Sequence, residues 1–310
     1  MELVDAASAG DRTAIARLIS LIERGGDPAR EVARLTYAAP DAYTVGLTGA
    51  PGAGKSTLSD GLIAEVRKTG QPLGVLAIDP SSPFTGGAIL GDRVRMQGHA
   101  LDEGVFIRSM ATRGHLGGLA LATPEAVRVL AAAGLPIVLI ETVGVGQVEV
   151  EVARAADCTV VVVNPGWGDS IQANKAGLLE IADIFVINKA DRPGATETRR
   201  DLDNMLDMTS TMGEWRPPIV QTVAATGDGV EQLWAVIGDH RAYLERSGEL
   251  VRRRHRRVLD EFSEVLVRRV ESRVRQLEDG RAYERAKDAV LAREVDPYGA
   301  ADELLGMLGL

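Results

Sequence analysis

At 310 residues with 45% apolar side chains, the chain is long enough for one large domain with extensions and a sizeable core. A formal net charge of −9 excludes a general nucleic-acid binder, which needs a basic face, and 4% aromatic residues offer no stacking platform for single strands. A lone cysteine, Cys158, excludes an internal disulfide and fits a reducing compartment.

The chain opens on Met1-Glu2-Leu3-Val4-Asp5, acidic and without a signal-peptide block. No apolar run approaches the roughly 20 residues of a membrane span. A cytoplasmic protein with no membrane or nucleic-acid partner is expected. Leu3, Ala6, Ala7, Ile15, Leu18, Ile19 and Ile22 recur at helical spacing, with Asp5 and Asp11 as ordinary solvated positions. Gly25-Gly26-Asp27-Pro28 breaks the run, and a short helix through Val32 and Leu35 follows. Residues 1–40 are therefore expected to be a helical N-terminal extension.

Tyr43-Thr44-Val45-Gly46-Leu47 suits a buried strand, and Ser56 to Lys68 suits an amphipathic helix with Leu58, Leu62, Ile63 and Val66 on one side. Between them stands Thr48-Gly49-Ala50-Pro51-Gly52-Ala53-Gly54-Lys55-Ser56-Thr57. This is the G-x-x-x-x-G-K-S phosphate loop in its required strand–loop–helix setting. Its backbone N–H groups and the helix N-terminus draw phosphate. Lys55 is expected at the β- and γ-phosphates and Ser56 on Mg²⁺, with Gly49 to Thr57 as the nucleotide-binding stretch.

Leu73-Gly74-Val75-Leu76-Ala77-Ile78-Asp79 is the next apolar run. In a parallel sheet its terminal acid falls at the same edge as the phosphate loop. Asp79 is read as a carboxylate of the Mg²⁺ shell, with a turn aspartate before Pro80 as the alternative. Pro80 to Gly104 is polar and glycine-rich, with the length and ligands of a nucleotide switch. Asp92 suits the metal; Arg93 and Arg95 suit phosphate, a partner or a plain charged face. Val105 to Met110 is a strand, and Thr123-Pro124-Glu125 carries the signals of a helix start: hydroxyl cap, proline at the first position, acid in the first turn.

Pro136-Ile137-Val138-Leu139-Ile140-Glu141-Thr142-Val143-Gly144-Val145-Gly146-Gln147 is a buried strand ending in an acid, with a glycine three residues on. This is the Walker-B and second-switch arrangement. Glu141 would hold or polarise metal-bound water, and the Gly144 amide would sense the γ-phosphate. Gln147 is the less favoured water-orienting candidate. Cys158 to Val163 is a core strand leading into Asn164-Pro165-Gly166-Trp167-Gly168-Asp169-Ser170 and on to Lys175. Either this is a third movable element that couples nucleotide state to another protein, or Trp167 packs locally.

Ile184-Phe185-Val186-Ile187-Asn188-Lys189-Ala190-Asp191 places N-K-x-D after an apolar strand. Asp191 can accept from guanine N1–H and the exocyclic amine, which adenine does not offer. Lys189 would lie along the base, and Asn188 would brace the loops. Pro218 to Val223 is a further strand, and Val223-Ala224-Ala225 follows it where backbone amides would meet guanine O6. Beyond about residue 238 strands stop. Glu245 to Glu278 has apolar residues at helical spacing, and Arg252 to Arg257 reads as a solvated face. Shorter helices follow over 281–293 and 300–308, interrupted by Asp296-Pro297-Tyr298-Gly299.

The expected fold is α/β: a P-loop NTPase with a mostly parallel central sheet and helices on both faces. The expected parts are the extension (1–40), the GTPase domain (41–238) and a helical C-terminal arm (239–310).

The ordered set G-A-P-G-A-G-K-S-T, D-P-S-S-P-F-T-G-G-A-I-L-G-D-R-V-R-M, E-T-V-G-V-G-Q, N-P-G-W-G-D-S-I-Q-A-N-K-A-G and N-K-A-D closely resembles the GTPase chaperones of methylmalonyl-CoA mutase, the MeaB/ArgK/MMAA family. The resemblance covers essentially the whole chain. It implies GTP or GDP as bound nucleotide with Mg²⁺, metal-site roles for Ser56, Asp79, Asp92 and Glu141, and a catalytic set of Lys55 with Glu141 or Asp92. It implies a homodimer joined by the C-terminal arm, and slow GTP hydrolysis quickened by the mutase. Hydrolysis would gate adenosylcobalamin loading, with no cobalamin site in this chain. Residues 164–175, with Trp167, Asp169 and Lys175, would report nucleotide state to the partner. Methylmalonyl-CoA mutase or a related acyl-CoA mutase is the implied partner, and the cobalamin adenosyltransferase a further candidate. A nickel or zinc metallochaperone GTPase is the alternative, disfavoured because the chain has one Cys, four scattered His and no C-x-x-C.

Overall fold

Runs rich in valine and isoleucine become strands because branched side chains fit a pleated surface covered on both faces. They are β1 (Tyr43–Gly49), β2 (Leu73–Asp79), β3 (Val105–Ala111), β4 (Ile137–Thr142), β5 (Cys158–Val163), β6 (Ile184–Asn188) and β7 (Ile219–Thr222). The structure, a computed structural model, describes residues 2–79, 97–99, 101–111, 118–142, 148–166, 180–208, 214–278 and 280–307. All seven strands pair in parallel, in the order β3-β2-β4-β1-β5-β6-β7. The chain completes the β4-β2-β3 half before crossing to the β5-β6-β7 half. β1 therefore lies at a topological switch point, the place where open parallel sheets bind ligands.

Eight helices are described in the same part of the chain: α1 (Glu2–Ser8), α2 (Arg12–Arg24), α3 (Gly26–Thr36), α4 (Lys55–Lys68), α5 (Gly118–Ala132), α6 (Val148–Ala155), α7 (Ala195–Met208) and α8 (Val230–Ser247). The period of two along β4 sorts its side chains between faces. Leu139 joins Leu58, Leu62 and Ile63 of α4 and Leu233 and Ile237 of α8 on one face. Val138 and Ile140 join Leu18, Ile19 and Ile22 of α2 and Val129 and Leu130 of α5 on the other. Each of these fully buried aliphatic side chains contributes about 1.5–3 kcal/mol relative to exposure. The N-terminal helices are thus part of the sheet's cover. Asp11 is not merely solvated: its Oδ1 accepts from the Thr13 and Ala14 amides at 2.8 and 3.2 Å and caps α2.

The helix expected to start at Thr123-Pro124 starts instead at Gly118, and Thr123 is buried within it. Pro124 falls in its second turn, where the missing N–H removes only one bond near the helix start. The cap-like signature was misleading because the face carrying Ala126, Val129 and Leu130 continues upstream to Ala122.

Two compact units divide the chain, 1–255 and 256–310. The boundary expected at 238 falls inside α8, where Leu233, Ile237, His240 and Leu244 are all buried. The extension does not form a unit of its own. The last helices are α9 (Glu249–Glu278), which runs across the unit boundary, α10 (Arg281–Leu291) and α11 (Pro297–Met307). The interruption expected at 296–299 lies earlier, because α11 starts at Pro297 with Asp296 accepting from the Tyr298 and Gly299 amides. Among the described residues no helix is long and apolar enough to cross a membrane.

Two of the arginines expected on a solvated face are anchors instead. The Arg253 guanidinium donates to both oxygens of Asp183, at 3.0 and 2.9 Å, and to the Asp157 carbonyl at 3.1 Å. Arg254 pairs with the buried Asp157 at 2.9 Å and with Asp41 at 3.0 Å. Burial pushes the Asp183 carboxyl up, but the neighbouring His240 ring, 3.3 Å away, and the Arg253 guanidinium outweigh it and hold the group below its ordinary range. A carboxylate depressed on folding stabilises the native state above its unfolded pKa, near 4, and loses that contribution as pH falls toward its folded value. Arg253→Ala is therefore expected to cost stability near the low end of about 3–5 kcal/mol, since the guanidinium stays partly exposed. Urea melts at pH 7 and pH 3 check this: the wild-type advantage should shrink at the lower pH.

Candidate functional site

The phosphate loop lies between the carboxyl end of β1 and the first turn of α4. Gly49 has φ 133°, and a Cβ there would stand 2.1 Å from the Val162 carbonyl oxygen. Gly54 has φ 91°, and its Cβ would stand 2.3 Å from Asn188 Nδ2. Both positions require glycine for positive φ and for close approach. The loop carbonyls are strapped from several sides. Lys55 Nζ donates to Gly49 O at 2.6 Å and to Ala50 O at 3.1 Å. Lys189 Nζ donates to Gly52 O at 2.6 Å, and Asn188 Nδ2 to Ala53 O at 2.8 Å. The α4 N-terminus begins at Lys55, so its first amides and its dipole face the loop.

β4 brings Glu141 opposite Leu47 of β1 and Ala77 of β2, next to the loop. The carboxylate is 1% exposed. Its Oε1 accepts from the Ser56 hydroxyl at 2.5 Å and its Oε2 from the Ser59 hydroxyl at 2.8 Å. Glu141 is therefore a buried carboxyl group seated against α4. The oxygens of Ser56 and Glu141 are hard donors of the kind Mg²⁺ takes. Ser59 was not legible as a site residue, although its place three residues after Ser56, on the same helix face, was a signal.

At the carboxyl end of β6, Asn188 Oδ1 accepts from Thr222 Oγ1 and from the Ala224 amide, each at 3.1 Å. One side chain thus joins the phosphate loop to the loop after β7. Lys189 holds φ 58°, the left-handed region that a lysine enters only at a local cost. The turn leaves Asp191 exposed beyond the strand. The Val223 amide donates to Asp228 O at 2.9 Å, so the Val223 and Ala224 donors already have partners within the protein.

The sheet gathers Gly49 to Thr57, Asp79, Glu141 and Asn188 to Asp191 at one edge. Asp79 closes β2 at that edge. Asp92, Arg93, Arg95, Gly144, Gln147, Trp167, Asp169 and Lys175 lie outside the described residues.

At the opposite edge, Cys158, Asp183 and His240 have ligand-type atoms within 4.8 Å of one another, all buried. Asp183 there already accepts from Arg253 and from the Thr159 amide. Burial, then the Asp183 charge, push the Cys158 thiol well up. A guanidinium occupies the place of a cation's charge, and a protonated thiol is a poor ligand. The cluster is the seat of the Arg253 anchor.

The family model described as methylmalonyl-CoA mutase-associated GTPase MeaB matches residues 15–279. A Pyrococcus abyssi protein described as a GTPase is 52% identical over 312 residues, covering 98% of this chain and 95% of its own. The mouse mitochondrial methylmalonic aciduria type A homolog is 35% identical over 264 residues, covering 79% and 64%. The crystal structure of a LAO/AO transport system kinase superposes with a TM-score of 0.72 at 27% identity, covering 100% of this chain and 97% of that one. With a phosphate loop, a buried acid beside it and a guanine-type motif on one sheet edge, and a family match across most of its length, this chain belongs to the methylmalonyl-CoA mutase-associated GTPases and is a GTPase.

Proposed function

We propose that this GTPase hydrolyses GTP with Mg²⁺ and serves as a chaperone of an adenosylcobalamin-dependent acyl-CoA mutase, methylmalonyl-CoA mutase first among them, gating cofactor loading and protecting or reactivating the enzyme. The observation that carries the chemistry is the buried Glu141 carboxylate held by Ser56 of the phosphate loop. The family match carries the partner.

In this reading the loop amides and Lys55 stabilise charge that builds on the transferring phosphoryl and on the leaving oxygen. Ser56 and Glu141 would hold Mg²⁺, with Asp79 and Asp92 as further candidates. Held there, the ion would offset negative charge on the triphosphate. Glu141 or Asp92 orients the attacking water. Asp191 reads the guanine edge, and the Ala225 amide suits O6. Gly144, Gln147 and residues 164–175 carry nucleotide state to the mutase. A second copy of the chain would cover α9, whose Leu259 and Phe262 are 65% and 59% exposed, making 256–310 the dimerisation arm. The cobalamin adenosyltransferase is a further candidate partner. The metallochaperone alternative gains nothing from the Cys158 cluster, because Arg253 already holds its carboxylate.

The test is a pull-down on the purified chain with GTP and then with GDP, followed by GTPase assays with the recovered mutase. Nucleotide-dependent capture and faster phosphate release with the mutase are expected. Turnover that no cobalamin mutase changes would overturn the chaperone reading.

A further inference from the structure

Ser59 is fully buried on the core-facing side of α4, beside Leu58, Leu62 and Ile63. A serine inside a helix ordinarily turns its hydroxyl back to the carbonyl four residues earlier. This one reaches across to the sheet instead, donating to Glu141 Oε2 at 2.8 Å while Ser56 donates to Oε1 at 2.5 Å. The two serines, one helical turn apart, therefore grip the two oxygens of one carboxylate. Two donors on the two oxygens of one carboxylate fix its plane.

We propose that Ser59 is a positioning residue for GTP hydrolysis: it holds Glu141 in the orientation in which that carboxylate meets the divalent ion and the attacking water. The inference rests on the reading of Glu141 given above. Ser56 would have to serve two masters when nucleotide arrives, turning an oxygen lone pair to the ion while its proton stays with Glu141. Ser59 has no such second duty. Its bond keeps the carboxylate from rotating about its last torsion as the Ser56 oxygen is drawn toward the ion. The effect reaches the reacting atoms only through Glu141, so it appears in metal dependence and turnover rather than in guanine recognition.

Calorimetric Mg²⁺ binding to the chain loaded with a non-hydrolysable GTP analogue, which should weaken in Ser59→Ala, and steady-state GTP hydrolysis over a range of Mg²⁺ concentrations test this in wild type, Ser59→Ala, Ser59→Cys and Ser59→Thr. Ser59→Ala is expected to raise the Mg²⁺ concentration for half-maximal rate and to lower kcat, each by roughly tenfold, the low end for partners of metal ligands. KM for GTP at saturating Mg²⁺ should stay within about twofold, because binding of the base and phosphates does not pass through this bond. Ser59→Cys keeps the side chain's shape at slightly larger size and loses the strong donor, so it should follow Ala; Ser59→Thr keeps the hydroxyl and should restore the wild-type Mg²⁺ dependence. If Ser59→Ala fails to fold, the Cys variant carries the test. A variant that melts earlier but shows the wild-type Mg²⁺ dependence and kcat would reduce Ser59 to a packing residue and overturn the proposal. Wild type that releases no phosphate from GTP at any Mg²⁺ concentration would overturn the underlying reading instead.

Discussion

Replacing Lys55 by alanine is expected to lower γ-phosphate release from GTP by roughly 10²–10³-fold, the loss typical of one preorganised donor at developing charge. The side chain is 6% exposed, with its ammonium on the carbonyls of Gly49 and Ala50 at 2.6 and 3.1 Å. Those bonds hold the charge in the mouth of the loop, where an incoming triphosphate takes over as the stronger acceptor. The loss should therefore fall on kcat and kcat/KM more than on melting temperature. Lys55→Arg should not rescue it, because a planar guanidinium does not fit where a compact ammonium threads between loop carbonyls. Single-turnover phosphate release with Lys55→Ala measures the effect, and wild-type turnover in that variant would remove the phosphate loop from the mechanism.

Asp191→Asn should weaken GTP by about 1.5–3 kcal/mol, or roughly 10–100-fold, the value of hydrogen bonds to a charged acceptor. Guanine offers two donors, N1–H and the exocyclic amine, and a carboxylate accepts both. An amide replaces one acceptor by a donor and opposes the exocyclic amine. Xanthine carries an oxygen at that place, so the same variant should gain affinity for xanthosine triphosphate. The surrounding geometry supports a fixed reader. Asn188 is bonded on three sides, to Ala53, Thr222 and Ala224, and Lys189 holds a left-handed backbone with φ 58°. Asp191 itself is exposed, which makes its substitution nearly silent in the stability of the nucleotide-free chain. Calorimetry with the two triphosphates decides the matter. Equal affinity of wild type for ATP and GTP would show that this motif does not read the base.

Much of the architecture was open to reading in one dimension. The strands from β1 to β7 announce themselves as short branched runs, and the phosphate loop, the acid near the end of β4 and N-K-x-D sit at strand ends where a parallel sheet must gather them. These signals are local, or become local once the sheet is known to be parallel. Pro124 shows the limit of local signals: a sound helix-start signature was overruled by the apolar face on either side of it. Arg253 and Arg254 show another, since charge patterning describes a helix face but not the carboxylate waiting opposite it.

The sequence by itself determined the fold class, the family and the residue types of the phosphate and base sites, because glycine geometry, branched runs and strand-end polar groups act over a few residues. Only the tertiary structure decided that Ser59 shares Glu141 with Ser56, that Asn188 spans two loops, and that the Arg253 and Arg254 charges are held by Asp183 and Asp157. Those partners are 34 to 135 positions apart along the chain, apart from the two serines. A hydrogen bond or ion pair at such a separation exists only once packing has set both groups within about 3 Å and excluded the water that would otherwise satisfy them.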